Sequence, residues 1–528
     1  MEQLLAMLKT IPEYKALTDA LSQGQSAAVT GIGQINRSHL IAGLHRDCKA
    51  PMVILCQDDI AARRLQQELK DFLGLTAPIL PSRDLTLYDA AVVSRSWEQK
   101  RLRQLYALST GKTPIQIFTW ESLSQRTMPR TVLQNAAFSL EVGQEYAPEE
   151  LIRKLNDAGY SRCGMVEGPG QYAIRGGIMD IYSPAEALPI RAEFFGDELD
   201  TMGYFDPGTQ RRSENAEKAL ILPVAETQPS LHPKGLAGLC KDLTNLIARQ
   251  NRRKNRNEAL IATLTKDLEK YENGLSNPAS DRYMALIYPE MATAADYIPE
   301  NALVVLCDHS SLHRASRTRC DEVGMQLDSL LQTGLITGEL SDYVCQWEDF
   351  CKALKHHTTV YFDAFGGAAY PEECPPKVLL PMTAKQLPSY GGNLDTAAAD
   401  LAHYQKMEFG SLVLCGTRRR AELLQQMLRE KGLSAFLCIP LTTMPKAGQI
   451  LLTEGSLPYG MEYPLNALAV LTEGQLLSRQ EPKRKAPKKT GSTNRQKLNS
   501  FTDLTPGDLV VHENYGIGRF VAMEQIKV

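Results

Sequence analysis

Apolar and polar residues alternate with a period of two over residues 171–207, a pattern typical of antiparallel strands that have one buried and one solvent-facing side. The alternation predicts strands over residues 174–182, 190–195 and 199–205. The middle strand carries Ile190, Ala192 and Phe194 on one face and Arg191, Glu193 and Phe195 on the other. A large aromatic residue on the polar face has two interpretations. Either Phe195 is covered by another element of its own domain, or it belongs to a surface for a partner.

The segments on either side of this region combine short apolar runs with helical periodicity. Parallel strands are predicted at residues 26–30, 51–56, 78–80, 115–118 and 302–307. Beyond about residue 350 a second series of strands is predicted, at 360–362, 412–415, 449–453 and 467–471. We therefore predict a three-layer α/β domain with a mainly parallel sheet, followed by a small separate doubly wound domain.

These patterns predict a multidomain α/β protein. In chain order we expect a nucleotide-fold parallel-sheet domain, first part (1–138), an inserted antiparallel α+β domain (139–222), the second part of the parallel-sheet domain (223–345), a small α/β domain (346–478), a basic linker (479–500) and the start of a β domain (501–528). A hairpin of two strands is marginal alone in water, so we expect the last domain to be incomplete at residue 528.

Composition narrows the class of protein. Hydrophobic residues make up 43% and charged residues 23% of the 528 residues, as in ordinary soluble globular proteins, and a net charge of −3 indicates no global attraction to nucleic acid. The eleven cysteines form no CxxC pair, which favours buried, reduced thiols over disulfides or a zinc site. With no cleavage site and no apolar run approaching 18 residues, we expect a cytoplasmic chain with no membrane contact.

Two local stretches are strongly basic. Residues 249–256 carry five Lys or Arg residues between two predicted helices, and residues 479–497 carry eight Lys or Arg residues against one Glu. Each stretch has two interpretations: the first is a solvated helix face or a phosphate contact, and the second is a flexible tether or a non-specific phosphate contact.

The strand-to-helix turn at residues 28–35 lies where a phosphate-binding loop would be. That chemistry needs a Lys on the β- and γ-phosphates and a Ser or Thr hydroxyl on magnesium. Gly31 and Gly33 are present, but Gln34 stands at the Lys position and Ile35 at the Ser/Thr position. Because a neutral amide and an isoleucine cannot replace those groups, we predict a degenerate nucleotide site that does not hydrolyse ATP.

The second acidic element of such a site is also altered. At the end of the strand at 302–307 the sequence places Asp308, which matches the metal-linked Asp, and then His309, where a Glu would polarise water. His309 has no second ligand at metal-binding spacing. We therefore predict no catalytic residues and no metal site in this chain, and interpret the parallel-sheet domain as a scaffold.

Several motifs carry a family resemblance. The stretches GIMDIYSP (177–184), PIRAEFFGDELD (189–200) and FDPGT (205–209) resemble the UvrB excision-repair protein and its relatives, the bacterial transcription-repair coupling factors. The degenerate loop favours the coupling factors, since UvrB keeps a working phosphate loop. LPYGME (457–462) and ALAVLTE (467–473) resemble their third domain, and PGDLVVHENYGIGR (506–519) resembles the start of their CarD-like, RNA-polymerase-interaction domain.

The resemblance implies partners. It places UvrA-contacting positions on Arg175, Arg191 and Phe195, with both guanidiniums paired bidentately to carboxylates of UvrA and the aromatic ring in a pocket. It also implies that the CarD-like domain contacts the RNA polymerase β subunit.

The resemblance further implies that the longer family members are ATP-driven translocases on double-stranded DNA, with ATP and magnesium bound by a motor that this chain lacks. The chain itself is then expected to need no cofactor and to be a monomer that recruits and tethers.

Two rival hypotheses remain from the sequence. A divergent UvrB-type ATPase or helicase is disfavoured by Gln34, Ile35 and His309. A CarD-like transcription regulator with an unrelated front end is disfavoured because the CarD-like stretch is confined to the last residues of the chain.

Overall fold

The computed structural model describes residues 1–89, 95–366, 369–477, 509–512 and 516–519. Its strands, numbered along the chain, are β1 (Ala27–Ile32), β2 (Met52–Cys56), β3 (Ile115–Thr119), β4 (Phe138–Glu141), β5 (Ser161–Arg162), β6 (Gln171–Arg175), β7 (Ile178–Ile181), β8 (Ile190–Phe195), β9 (Glu198–Phe205), β10 (Arg212–Asn215), β11 (Lys218–Ile221), β12 (Leu303–Cys307), β13 (Thr358–Asp363), β14 (Val378–Gln386), β15 (Gly410–Cys415), β16 (Ala435–Leu437), β17 (Ile450–Glu454), β18 (Met461–Tyr463), β19 (Leu468–Thr472), β20 (Leu509–His512) and β21 (Gly516–Arg519).

The helices are α1 (Glu2–Ala6), α2 (Pro12–Ser22), α3 (Gln34–Asp47), α4 (Asp59–Leu73), α5 (Ser96–Ser109), α6 (Trp120–Ser124), α7 (Arg130–Ala136), α8 (Pro148–Asp157), α9 (Gly235–Asn251), α10 (Glu258–Glu272), α11 (Met284–Ile287), α12 (His309–Gln332), α13 (Trp347–Leu354), α14 (Leu394–Lys406), α15 (Arg418–Glu430) and α16 (Glu473–Leu476). Helix α4 shows why the sequence sets these bounds. Asp58 accepts a hydrogen bond from the Ala61 N–H at 2.8 Å to begin the helix, and Gly74, at φ 73°, ends it.

A sheet of eleven strands runs through most of the chain, in the order β16-β17-β15-β19-β18-β14-β1-β13-β12-β2-β3. Most neighbouring strands are parallel and buried, as predicted for an α/β protein. Strand β14 joins the two halves, because it pairs in parallel with β1 and antiparallel with β18. The small α/β domain is therefore hydrogen-bonded edge to edge with the first sheet.

One strand was grouped wrongly by sequence order. We assigned residues 360–362 to the small domain, but β13 lies between β1 and β12 in the first half of the sheet. The reason is that buried parallel strands look alike in sequence, and their order across a sheet is decided by long-range pairing.

The inserted domain is a six-stranded sheet in the order β10-β9-β8-β7-β6-β5. Its inner face packs on α8 through a cluster of buried side chains that includes Leu151, Leu155, Met179 and Ala192. The single strand predicted over 174–182 is wrong, because Gly176 and Gly177 turn the chain between β6 and β7. Gly176 takes φ 61°, and a side chain at Gly177 would meet the Phe194 carbonyl oxygen at 2.8 Å.

Near the end of the chain β20 and β21 form an antiparallel pair. The predicted linker, 479–500, lies outside the described residues. All eleven cysteines are free, and six of them are buried: Cys56, Cys307, Cys345, Cys351, Cys374 and Cys415. In the described ranges no helix is both long enough and apolar enough to cross a lipid bilayer.

Candidate protein-docking surface and the phosphate-loop position

Phe195 is the most exposed aromatic side chain of the inserted domain. It ends β8, and the two-residue turn at Gly196 and Asp197 returns the chain into β9 with Phe195 opposite Glu198. Its side chain is 84% exposed, so none of the described elements covers it. Of the two interpretations that the alternation left open, coverage within the domain is therefore excluded for the described chain.

Arg175 and Arg191 converge on one buried carboxylate. Asp180 lies on β7 directly opposite Arg191, and its residue is 1% exposed. It accepts hydrogen bonds from Arg191 Nε at 2.7 Å and Nη2 at 3.0 Å, and from Arg175 Nη2 at 2.8 Å. We call Asp180, Arg175 and Arg191 the carboxylate clamp.

Within the carboxylate clamp the two arginines differ in how much of the side chain is exposed and in how many nitrogens are paired. The Arg191 side chain is 19% exposed, donates from Nη1 to the Gln210 carbonyl oxygen at 3.3 Å, and stacks on the Phe205 ring at 4.6 Å. Its hydrogen bonds to Asp180 raise the pKa of Arg191 above its usual value. The Arg175 side chain is 51% exposed and gives a single nitrogen to the clamp.

In this structure two nitrogens of Arg191 are already paired with Asp180, and the expectation that Arg191 pairs with a carboxylate of UvrA stays a prediction. Its two convergent nitrogens are paired inside the sheet, where they link β8 to β7. Arg175 and Phe195 remain as the outward-facing groups, and Ile178, which is 37% exposed and opposite Glu193, lies on the same face. Asp180 and Ile178 were not singled out from sequence. An acid on the polar face of a strand looks ordinary until its register against Arg191 is known.

At the phosphate-loop position the structure leaves no open loop. Strand β1 continues to Ile32 and α3 begins at Gln34, so Gly33 alone joins them. The Gly33 N–H donates to the Ala384 carbonyl oxygen on β14 at 3.3 Å. A Cβ on Gly31 would lie 2.5 Å from the Met382 carbonyl oxygen, which shows how closely β14 covers this turn. The backbone of β14 therefore lies against the amide that would face a phosphate.

The two replaced side chains have structural roles. Gln34 accepts from Arg64 Nη1 at 2.7 Å and donates to Glu68 Oε1 at 3.1 Å. Glu68 is fully buried and also accepts from the Ser38 hydroxyl, and burial raises the pKa of Glu68. Ile35 is fully buried in the core beneath the sheet. Neither residue supplies an ammonium or a hydroxyl, as the sequence indicated.

At the end of β12 the two residues at the acidic position, Asp308 and His309, also make structural contacts. Asp308 adopts φ 61° and caps α12 by accepting from the Ser311 N–H at 3.2 Å. The His309 ring lies 3.0 Å from Asp363 Oδ1 through Nδ1 and stacks on Tyr370 at 4.5 Å. Burial is the largest single influence and opposes the charge on this ring, but the hydrogen bond and negative charge of Asp363, the Ala369 carbonyl and the charge of Asp308 together outweigh it and raise the pKa of His309. In the ranges that the structure describes, no group of three or more His, Cys, Asp or Glu residues is placed to hold a metal ion.

Comparison with known proteins places these features in a family context. The UvrB interaction domain family matches residues 138–226, which span the inserted sheet, and the CarD-like/TRCF RID domain family matches residues 504–528. Three curated relatives are each described as a transcription-repair-coupling factor. The protein from Bacillus subtilis (strain 168) is 26% identical over 541 residues, which cover all of this chain and 44% of the relative.

The second relative, from Staphylococcus haemolyticus (strain JCSC1435), is 26% identical over 98% of this chain and 43% of its own length. The third, from Staphylococcus aureus (strain MRSA252), is 24% identical over 99% of this chain and 44% of its own length. This chain thus spans less than half the length of the relatives that it matches. The resemblance indicated by the motifs is confirmed: the chain is similar along its whole length to transcription-repair-coupling factors, and it matches the UvrB interaction domain and CarD-like families.

Proposed function

We propose that this chain recruits UvrA to RNA polymerase stalled at DNA lesions, with the inserted domain docking on UvrA. The exposed face of β8 carries the proposal. Phe195 is 84% exposed at the end of a strand that is paired on both sides, an arrangement that fits an aromatic anchor entering a partner's pocket. A soluble chain has little reason to leave a phenylalanine ring in water unless a partner covers it.

The carboxylate clamp supports this proposal by limiting the entropy lost on binding. Asp180 holds Arg175 and Arg191 in place before a partner arrives, so less side-chain freedom is lost on docking. Arg175 keeps half of its side chain in solvent and can donate to a carboxylate of UvrA. Arg191 acts through the rigidity of the sheet.

We further propose that the parallel-sheet domain acts as a scaffold in the cytoplasm and does not turn over ATP. Strand β14 lies against the Gly33 amide, and the Gln34 side chain is hydrogen-bonded to Arg64 and Glu68, which supports this proposal. A UvrB-type ATPase is accordingly disfavoured. By resemblance, the RNA polymerase β subunit is the partner of the CarD-like segment, and DNA translocation belongs to parts of the longer relatives that this chain does not match.

The test is UvrA binding by the full chain with Phe195→Ala. We expect the affinity to fall at least about fivefold, as hot-spot truncations of about 1 kcal/mol or more do. Phe365→Ala is the matched control, because Phe365 is also 84% exposed but lies after β13, outside the inserted domain. Unchanged affinity in the Phe195 variant, with a wild-type circular dichroism spectrum, would refute the assignment of this surface.

A further inference from the structure

The end of α9 and the turn that leads to α10 carry a dense run of cations. Residues 249–257 read RQNRRKNRN, with five cations, no acid and no apolar residue. We call this segment the basic tip. The cations are Arg249, Arg252, Arg253, Lys254 and Arg256. The UvrA-docking proposal uses none of them.

The basic tip is exposed on a rigid base. Helices α9 and α10 pack against each other and the core through Leu246, Leu260 and Leu264, which are all buried. From residue 251 to residue 257 every side chain is exposed. The cations are therefore presented together at the end of a helical hairpin, without loss of core contacts.

The neighbouring acids neutralise only part of this charge. Glu339 lies 2.7 Å from Arg249 and 3.6 Å from Arg253, and Glu258 lies 3.4 Å from Arg256. Arg252 and Lys254 have no carboxylate within 4.0 Å among the described residues. Exposed ion pairs of this kind contribute about 0–1 kcal/mol each, so a polyanion can replace these carboxylates with little loss of free energy.

Local helix stability does not account for the whole cluster. Cations near the last turn of α9 do complement its dipole, which explains Arg249 and Arg252. Arg256, however, lies two residues before the first residue of α10, where the helix dipole disfavours a positive charge. Lys254 belongs to neither helix. The unfavourable position of a positive charge at the start of α10 is offset if the basic tip binds an anion.

We propose that the basic tip docks on the phosphate backbone of double-stranded DNA. Four of its five cations are arginines, whose forked donors suit phosphate oxygens, and Asn255 between two of the cations adds a neutral donor. The tip has no aromatic ring on which unpaired bases could stack and no apolar anchor for a protein pocket. Duplex DNA, with one charge per about 1.7 Å of its axis, is the densest partner for such a surface. The inference does not depend on UvrA docking.

The experiment measures binding of the full chain to a 20-base-pair duplex by fluorescence anisotropy between 50 and 200 mM salt. The tip variant combines Arg252→Gln, Arg253→Gln and Lys254→Gln, which leaves the Arg249–Glu339 pair in place. The matched control removes the same charge from the other basic stretch, with Lys483→Gln, Arg484→Gln and Lys485→Gln. Thermal melting and UvrA binding serve as checks that the variants fold and keep the docking surface.

We expect the tip variant to bind the duplex at least about tenfold more weakly at 100 mM salt, with a log–log salt slope shallower by about 2 to 3, since each lost phosphate contact contributes about 0.9. Its melting temperature and UvrA affinity should match wild type. Wild-type DNA affinity in the tip variant, with loss confined to the control variant, would overturn the proposal. So would an equal loss of binding to poly-glutamate, because the tip would then be a general anion contact.

Discussion

Asp180 offers the sharpest test of the candidate docking surface. The perturbation is Asp180→Asn, which keeps the shape of the side chain but removes its charge and replaces one acceptor oxygen by an N–H donor. Asp180 accepts three guanidinium N–H groups at 2.7, 2.8 and 3.0 Å. In the variant one oxygen still accepts, while the new N–H faces a guanidinium that can only donate.

The expected magnitude follows from burial. Hydrogen bonds to charged groups contribute about 1.5–3 kcal/mol each, and breaking a fully buried ion pair costs about 3–5 kcal/mol. The Arg191 side chain is 19% exposed and that of Arg175 is 51% exposed, so water recovers part of the loss. We therefore expect Asp180→Asn to lower the local stability of the β6–β8 region by about 2 kcal/mol.

The assay is amide hydrogen exchange in β6, β7 and β8, because a chain of several domains need not unfold in two states. A loss of about 2 kcal/mol corresponds to about 30-fold faster exchange of the protected amides. UvrA affinity should fall as well, and combining Asp180→Asn with Arg175→Ala should cost less than the sum of the two single changes, because both act on the same contact.

Asp200→Asn is the control for this experiment, since Asp200 is exposed on β9 of the same sheet and makes no described ion pair. Wild-type exchange rates in Asp180→Asn would refute the reasoning that the clamp stiffens this face. Faster exchange with undiminished UvrA affinity would separate the clamp from docking and leave Phe195 to act alone.

Two further predictions concern the scaffold. Gly33→Ala should destabilise the chain by about 1–3 kcal/mol, because the added Cβ would lie 2.8 Å from a backbone nitrogen of β14. Gly324→Ala is the control and should be neutral or stabilising, because Gly324 lies within α12 with open space around it. Thermal melting of both variants checks this, and equal melting temperatures would contradict the close packing of β14 on Gly33. The pKa of His309 is higher in the folded state than in the unfolded state, where it is about 6.5. The pairing of His309 with Asp363 therefore stabilises the chain fully at pH values below about 6.5. This stabilisation is lost as the pH rises through the folded-state pKa. His309→Asn should therefore cost more stability at pH 5.5 than at pH 8.5, as measured by urea unfolding, and a larger cost at pH 8.5 would show that the sign is wrong.

Much of the candidate site could be predicted because it depends on local pattern. Period-two alternation places Phe195 and Arg191 on one face of a strand whatever the rest of the chain does. The chemical argument at Gln34 and Ile35 is equally local, since no fold gives an amide a charge or an isoleucine an oxygen. The motifs along the chain were enough to indicate its similarity to the transcription-repair-coupling factors.

The contacts of Asp180 could not be predicted from the local sequence pattern. An aspartate on the polar face of a strand predicts solvent exposure, and only the register that sets it opposite Arg191 makes it a buried acceptor for two guanidiniums. That pairing also commits two nitrogens of Arg191 to Asp180, which the sequence did not indicate. Strand register is decided by contacts across strands, and these are invisible in a window along one strand.

Residue type and short-range periodicity are enough to predict the fold class, the loss of the phosphate-binding groups and the face on which Phe195 lies. The tertiary structure alone decided that β13 lies inside the first half of the sheet, that β14 joins the two halves and lies against the Gly33 amide, and that Phe195 stays uncovered. Strand order, coverage and burial depend on elements far apart in the chain. These elements pack by hydrophobic contact and backbone pairing, which many sequences satisfy equally well.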